Sequence, residues 1–260
     1  MAPFPLDAAM KKLLRSIDIA FGLALTMAVA MMVITALPSQ ALAAQAVAGD
    51  GRAAGEHRNV PEFNAISVSG SFDVKVRQAA VASVDVQADA NLLPFLETVV
   101  EDGKTLQIRW KRSASVRTRV TPVITVVVTQ LQALASSGDS HVRVTALQTP
   151  QLATSIAGSG NTELEKLQTG QLQVSIAGSG DLTAAGQAGR VVVKISGSGN
   201  VHAEALKADD VTISIAGSGN AAVQAEKSLT VSIAGSGDVS YSGAATVKSS
   251  VAGSGSVRKR

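Results

Sequence analysis

From residue 170 onward apolar and polar positions alternate with period two, and the alternation is broken at regular steps by one glycine-bearing turn. Leu172, Val174 and Ile176 lead into one turn, Val191, Val193 and Ile195 into the next, then Val211, Ile213 and Ile215, and then Leu229, Val231 and Ile233. The residues between them are Gln173 and Ser175, Val192 and Lys194, Thr212 and Ser214, and Thr230 and Ser232, mostly polar, as expected of half-buried strands. After each turn the alternation resumes with Leu182 and Ala184, Val201 and Ala203, Ala221 and Val223, and Val239 and Tyr241. Each unit is therefore predicted to hold a strand, a corner, a second short strand and a variable return segment such as residues 167–171.

The turn itself reads Ser-Ile-Ala-Gly-Ser-Gly-Asn at residues 155–161. It returns at 175–181, 194–200, 214–220, 232–238 and 250–256, with a worn copy at 135–139. Taking the last glycine of each copy (Gly138, Gly160, Gly180, Gly199, Gly219, Gly237 and Gly255), the steps are 22, 20, 19, 20, 18 and 18 residues. A period near 20 marks a solenoid, in which each coil buries its apolar side against its neighbours. The expected fold is all-β, a parallel β-helix with coils of about 18–22 residues, repeated over about 131–260.

Stacking in register sets like residues about 4.8 Å apart in ladders. The corner positions are Gly158, Gly160 and Asn161; Gly178, Gly180 and Asp181; Gly197, Gly199 and Asn200; Gly217, Gly219 and Asn220; and Gly235, Gly237 and Asp238. Glycine suits a sharp bend at positive φ, and Asn or Asp can bond a nearby backbone amide. A phosphate-cradling loop would occur once, open a helix and usually carry a lysine. This turn recurs and opens a strand, so the corners are read as architecture.

The first part of the chain lacks the repeat. Residues 44–57 are small and polar and read as a flexible lead-in. Strand alternation appears in Ile66 and Val68, in Phe72, Val74 and Val76, and in Val84 and Val86; residues 105–110 and 120–129 are further strands. The turn around Gly70 looks like a divergent relative of the later corners. Between these strands Asp89 or Asn91 is expected to cap one short helix carrying Leu92, Leu93, Phe95 and Leu96, with Pro94 in its first turn. Residues 60–110 are expected to cap the solenoid, because terminal repeats are atypical.

Composition narrows the picture. Aromatics are only 3% against 46% hydrophobic residues, so the core must be built from Val, Ile, Leu and Ala. With no cysteine, disulfides, thiolate metal sites and cysteine nucleophiles are excluded. Lys11, Lys12 and Arg15 precede an uncharged run at 19–37 and the small pair Ala41 and Ala43. This is the layout of a secretory signal peptide over residues 1–43, starting at Met1 or Met10; the alternative is an N-terminal membrane anchor. Either places the rest of the chain in the periplasm or at the cell surface. Without Lys11, Lys12, Arg15, Asp7 and Asp18, the formal charge falls from +3 to +2, with 20 basic and 18 acidic residues. That balance argues against a nucleic-acid partner. The basic clusters at 109–119 and 258–260 read as a solvated strand face and tail.

From about residue 58 to the C-terminus the chain resembles the bacterial head-GIN domain family of autotransporter-type adhesins. The resemblance rests on Phe-Asn-Ala-Ile-Ser-Val-Ser-Gly-Ser-Phe-Asp-Val at 63–74, on Ala-Asp-Ala-Asn-Leu-Leu at 88–93 and on the recurrent Ile-Ala-Gly-Ser-Gly-Asn/Asp. It implies export, a right-handed, pectate-lyase-like β-helix and an adhesion role without a recognised catalytic set. No membrane barrel follows Arg260 in this sequence, so self-export is not expected.

Catalytic constellations are sparse. Asp139, Asp181 and Asp238 are read at equivalent corners, but Asn161, Asn200 and Asn220 fall between them, so neighbouring coils never offer two carboxylates. His141 and His202 are three coils apart, roughly 14 Å at about 4.8 Å per coil, too far to share a metal. The Gly-Ser-Gly serine lacks the setting of a nucleophile elbow. The sequence therefore points to an exported, non-enzymatic β-solenoid acting as an interaction or adhesion module at the cell envelope. Its partner would be a surface protein or polysaccharide; no cofactor is expected, homo-oligomerisation is open, and membrane contact is limited to an uncleaved N-terminal segment. Two alternatives are a carbohydrate-active β-helix lyase or hydrolase with its site in the variable return loops and a membrane-anchored envelope-stress accessory protein.

Overall fold

Eight glycines held at φ between 97° and 138° set the frame of the molecule: Gly70, Gly138, Gly158, Gly178, Gly197, Gly217, Gly235 and Gly253. Each lies in register on the one before it, in parallel strands. The computed structural model describes residues 46–260, and the signal-peptide or anchor reading of residues 1–43 lies outside them. From Gly138 to Gly253 there are six steps, of 20, 20, 19, 20, 18 and 18 residues. The fold is a parallel β-solenoid.

The worn copy sits two residues away from its expected alignment. Gly138 pairs with Gly158, the first glycine of its turn, and His141 pairs with Asn161. Ser140 therefore fills the second-glycine position, and Asp139 is not level with Asp181 and Asp238. Ser140 serves there because its buried hydroxyl donates to the Gly70 carbonyl (2.9 Å) and accepts from the Phe72 amide (3.3 Å).

The two glycines of a corner are needed for different reasons. Gly178 has φ +127°, and a Cβ on it would also lie 2.5 Å from the Gly158 carbonyl oxygen. Gly180 has no positive φ, but its Cβ would run into the carbonyl of Gly160. Backbone lies on backbone at both positions, and only hydrogen fits between.

Between corners strand pairing runs on through the return segments, interrupted only by local register shifts, so the strands are longer than the sequence predicts: Asn161–Gly178, Leu182–Gly197, Val201–Gly217 and Ala221–Gly235. Alternate side chains point inward and stack in rows. One row runs Val68, Ser136, Ile156, Ile176, Ile195, Ile215, Ile233 and Val251. Most of its members are buried, each aliphatic contributing about 1.5–3 kcal/mol. Ser136, Thr154 and Thr162 stand in inward rows with buried hydroxyls that have no hydrogen-bond partner.

The N-terminal end is closed by different material. Ala65–Gly70 and Asp73–Gln78 form a true coil, paired with Ala133–Gly138 and His141–Val144 on one side. On the other side they carry Thr105–Trp110 and Val123–Val128 in parallel, then Leu96–Glu101 and Ser83–Asp89 antiparallel. The cap is thus an insertion between the first two coils, and Phe72 meets Trp110 at its base with ring centres 5.5 Å apart.

Two expectations are corrected here. The short helix reduces to a single 3₁₀ turn, Leu93–Phe95, without a side-chain cap, and Leu96 already begins a strand. Pro94 fits that turn, but pairing of Leu96–Glu101 with Thr105–Trp110 claims the residues that would have continued it. The lead-in at 44–57 also carries strands, Val47–Ala48 on Val116–Arg117 and Ala53–Arg58 antiparallel to Ser83–Asp89.

Buried Asp89 holds this segment in place. Its carboxylate accepts from the amides of Gly51 (2.8 Å), Arg119 (2.9 Å) and Val120 (3.1 Å). Burial alone pushes its pKa up, but these backbone donors outweigh that and hold it below the ordinary 3.8.

Two outcomes follow from these contacts. Gly178→Ala lowers unfolding free energy by about 1–3 kcal/mol, whereas Ser179→Ala on the exposed loop changes it by less than about 0.5 kcal/mol; denaturant titration compares them. Because the folded-state pKa of Asp89 is depressed, its stabilisation is full above pH 3.8 and is lost as pH falls through the folded value. Asp89→Asn therefore melts below the parent at neutral pH, and the gap narrows below pH 3.8; a gap constant with pH contradicts the assignment.

Candidate functional site

Each coil shows three outward surfaces, and the corner joins the first two. Before the corner lies a flat face of small residues, with columns such as Ala135, Ser155, Ser175, Lys194, Ser214, Ser232 and Ser250. At the corner the Asn and Asp side chains bond to the next coil rather than to their own turn. Asp181 Oδ1 accepts from both the backbone and side-chain amides of Asn200 (2.9 Å each), and Asn200 Oδ1 accepts likewise from Asn220 (3.2 and 3.0 Å). Asn220 Oδ1 accepts from the amide of Asp238 (3.0 Å), whose carboxylate accepts from the amide and hydroxyl of Ser256. The Ser256 hydroxyl is the main reason the Asp238 pKa lies below its ordinary value.

This ladder explains why no two acids are neighbours along the corners, where Asp181 and Asp238 are separated by Asn200 and Asn220. An amide donates through nitrogen to the carboxylate before it and accepts through oxygen from the next coil, whereas two stacked carboxylates would repel with no proton between them.

After the corner the surface of the first coils is charged. Asp73 is level with His141, and Lys75, Arg143 and Glu163 share a column. Arg143 reaches Glu163 at 2.8 Å and Glu165 at 3.5 Å, and His141 Nε2 lies 3.6 Å from Glu163. The Glu163 hydrogen bond, with the nearby carboxylate charge, raises the Arg143 pKa further, so this cluster is a paired network. His202 lies three coils away at a groove of 540 Å3, where Ala222 and Ser240 leave a notch beside Arg258 and Arg260. Their guanidinium groups lie 3.9 Å from Asp238 and 3.8 Å from Glu204. The basic cluster at 109–119 is partly neutralised, since Arg109 pairs with Glu97 (3.0 Å) and Glu101 (2.8 Å). Among the described residues no three His, Asp or Glu side chains converge to hold a metal ion.

The third surface lies over the return segments, where the sequence placed the site of the enzyme alternative but did not show a glutamine column. Two adjoining shallow, open grooves of 410 and 440 Å3 share Gln168 and Thr169 and make one trough across four coils. Gln148, Gln168, Gln187 and Lys207 stand in one column along it. The available signal was the repeat of Gln at steps of 20 and 19, the same period as the corners.

A continuous stack of parallel coils with an N-terminal cap and polar outer ladders defines a capped parallel β-solenoid. The chain belongs to the family described as "putative auto-transporter adhesin, head GIN domain", whose model matches residues 62–245. Crystal structures with this fold include one described as a putative lipid binding protein from Parabacteroides distasonis, 26% identical, TM-score 0.71, covering 83% of this chain and 100% of that one. A putative adhesin from the same organism is 26% identical, TM-score 0.67, over 83% of this chain and 100% of its own. A putative adhesin from Bacteroides fragilis, 24% identical, shares the fold at TM-score 0.76 over 82% of this chain and 100% of its own. No curated protein matches the chain.

The ladder is testable at Asn200, between Asp181 and Asn220. Asn200→Asp places a second carboxylate beside Asp181 and raises the pKa of the pair in the folded state. The penalty is then largest at neutral pH and is relieved as pH falls and the pair takes up a proton. Melting curves at pH 7 and pH 4 should show the variant recovering toward the parent; equal losses at both exclude carboxylate repulsion.

Proposed function

We propose that this protein is an exported, non-enzymatic adhesion module of the cell envelope that binds its partner through the long side faces of the solenoid. One observation carries the reading: the outer chemistry repeats along the axis, and where charged groups gather, at His141, Arg143, Glu163 and Glu165, they are paired with each other. Acids and bases after the corner are paired with each other, the two repeat histidines are three coils apart, and the corner side chains are used in the ladder. A lyase or hydrolase needs carboxylates or a base gathered at one point on a substrate. Membership of an adhesin-head family supports the same reading and supports export.

The lipid-binding description of one relative fits this chain less well. Stacked aliphatic rows fill the interior, and the grooves described above lie on the outside, so the surface is the better candidate for binding.

Sedimentation of the full chain with isolated bacterial envelopes tests the proposal. Saturable co-sedimentation is expected, with no new reducing ends or unsaturated sugars released. Product release that disappears on mutating a single corner aspartate, such as Asp181, would instead establish an enzyme, and absence of co-sedimentation would remove the adhesion reading.

A further inference from the structure

The trough over the return segments has the chemistry of a binding site as well as its shape. Gln148, Gln168, Gln187 and Lys207 are all exposed and rise in register, three intervals spanning about 14 Å at about 4.8 Å per coil. Thr149, Thr169 and Ala188 form the buried or half-buried column beside them. Beyond these stand Pro150, Gly170 and Gly189. A Cβ on Gly170 would lie 2.8 Å from the Pro150 carbonyl oxygen, and one on Gly189 the same distance from that of Gly170. At Gly170 and Gly189 the far wall is therefore kept to bare backbone.

Next to one end of the trough, the side chain of Gln78 stands in for a missing strand. Its carboxamide accepts from the Gln148 amide (2.9 Å) and donates to the carbonyls of Gln148 (3.2 Å) and Thr129 (2.9 Å). At the other end Lys207 stands near Asp209, which is paired with Lys227 at 2.9 Å.

Coil stacking already uses the backbone groups beneath, so the glutamine carboxamides supply the free hydrogen bonding. Each offers two N–H donors and one acceptor oxygen, without charge. A column of them repeats both functions along the axis, which suits a ligand that also repeats donors and acceptors without charge, as hydroxyl groups do. An extended peptide is a poorer match, because its main chain seeks an open strand edge, and the one edge here, at residues 147–151, already has its Gln148 amide and carbonyl bonded by Gln78. An acidic polymer would find only Lys207, with Asp209 opposite.

We propose that the trough over Gln148, Gln168, Gln187 and Lys207 binds a neutral glycan chain lying parallel to the solenoid axis. This rests on the adhesion reading and names its ligand class. No aromatic lines the trough, so each sugar contributes weakly and affinity grows with chain length as successive carboxamides engage.

Affinity electrophoresis of the full chain through gels containing dextran, mannan or alginate, beside the double variant Gln168→Ala and Gln187→Ala, tests this. Retardation by at least one neutral glycan is expected. The variant should bind about tenfold more weakly, as loss of two neutral hydrogen bonds implies, with an unchanged melting point. Fragments of the retarding glycan should compete better as they lengthen. No retardation by either neutral glycan, retardation equal in the variant, or preference for alginate overturns the proposal. If wild type and variant bind envelopes equally while neither neutral glycan retards the protein, the glycan assignment fails and adhesion stands. If wild type does not bind envelopes at all, the adhesion reading fails first.

Discussion

The structure depends on backbone resting directly on backbone at the corners. Where Gly178 crosses Gly158 and Gly180 crosses Gly160, the separation leaves no room for a Cβ, so each coil repeats the path of the one before. Register then propagates to every other position. Inward aliphatics form rows, corner amides form a ladder, and outward side chains form columns at the strand spacing. The low aromatic content is a consequence, because rows this close are filled by Val, Ile, Leu and Ala.

The same constraint shapes what the surface can do. In an enzyme, reactive groups from different elements meet at a point; here equivalent residues line up along an axis. A solenoid thus readily offers one chemistry many times, and seldom several chemistries at once. The corner ladder spends its polar atoms on the neighbouring coil, and the charged network of His141, Arg143, Glu163 and Glu165 spends its own internally. The glutamine column stands apart because Gln168 and Gln187 lie outside both networks. Repetition of a weak, uncharged contact is a sound basis for adhesion, in which many small contributions add.

The coils were legible because their period is written in residues with one structural meaning each: glycine where a bend or a close approach demands it, and aliphatics on every inward step. Rows such as Ile176, Ile195, Ile215 and Ile233 follow directly. The worn copy was misaligned because Ser140 replaces a glycine by a hydroxyl that bonds Gly70 across 70 residues, a substitution no local rule anticipates. The lead-in looked flexible because its anchor, the Asp89 carboxylate, lies about 38 residues from Gly51. The expected helix had the right turn residues but lost its second half to antiparallel pairing. The trough left only a faint trace, because exposed glutamine has no strong structural meaning by itself and acquires one only when stacking brings its copies into line.

The central claim, that outward side chains rise in one in-register ladder, is tested most directly by distance measurement between paired spin labels. The chain has no cysteine, so labels go to introduced cysteines in the column of Ser67, Ser155 and Ser232 without background. Backbone separations of about 19 Å between Ser155 and Ser232, and about 29 Å between Ser67 and Ser232, are expected at about 4.8 Å per coil. Distances that fail to grow with the number of intervening coils would contradict the stacked register on which the rest depends.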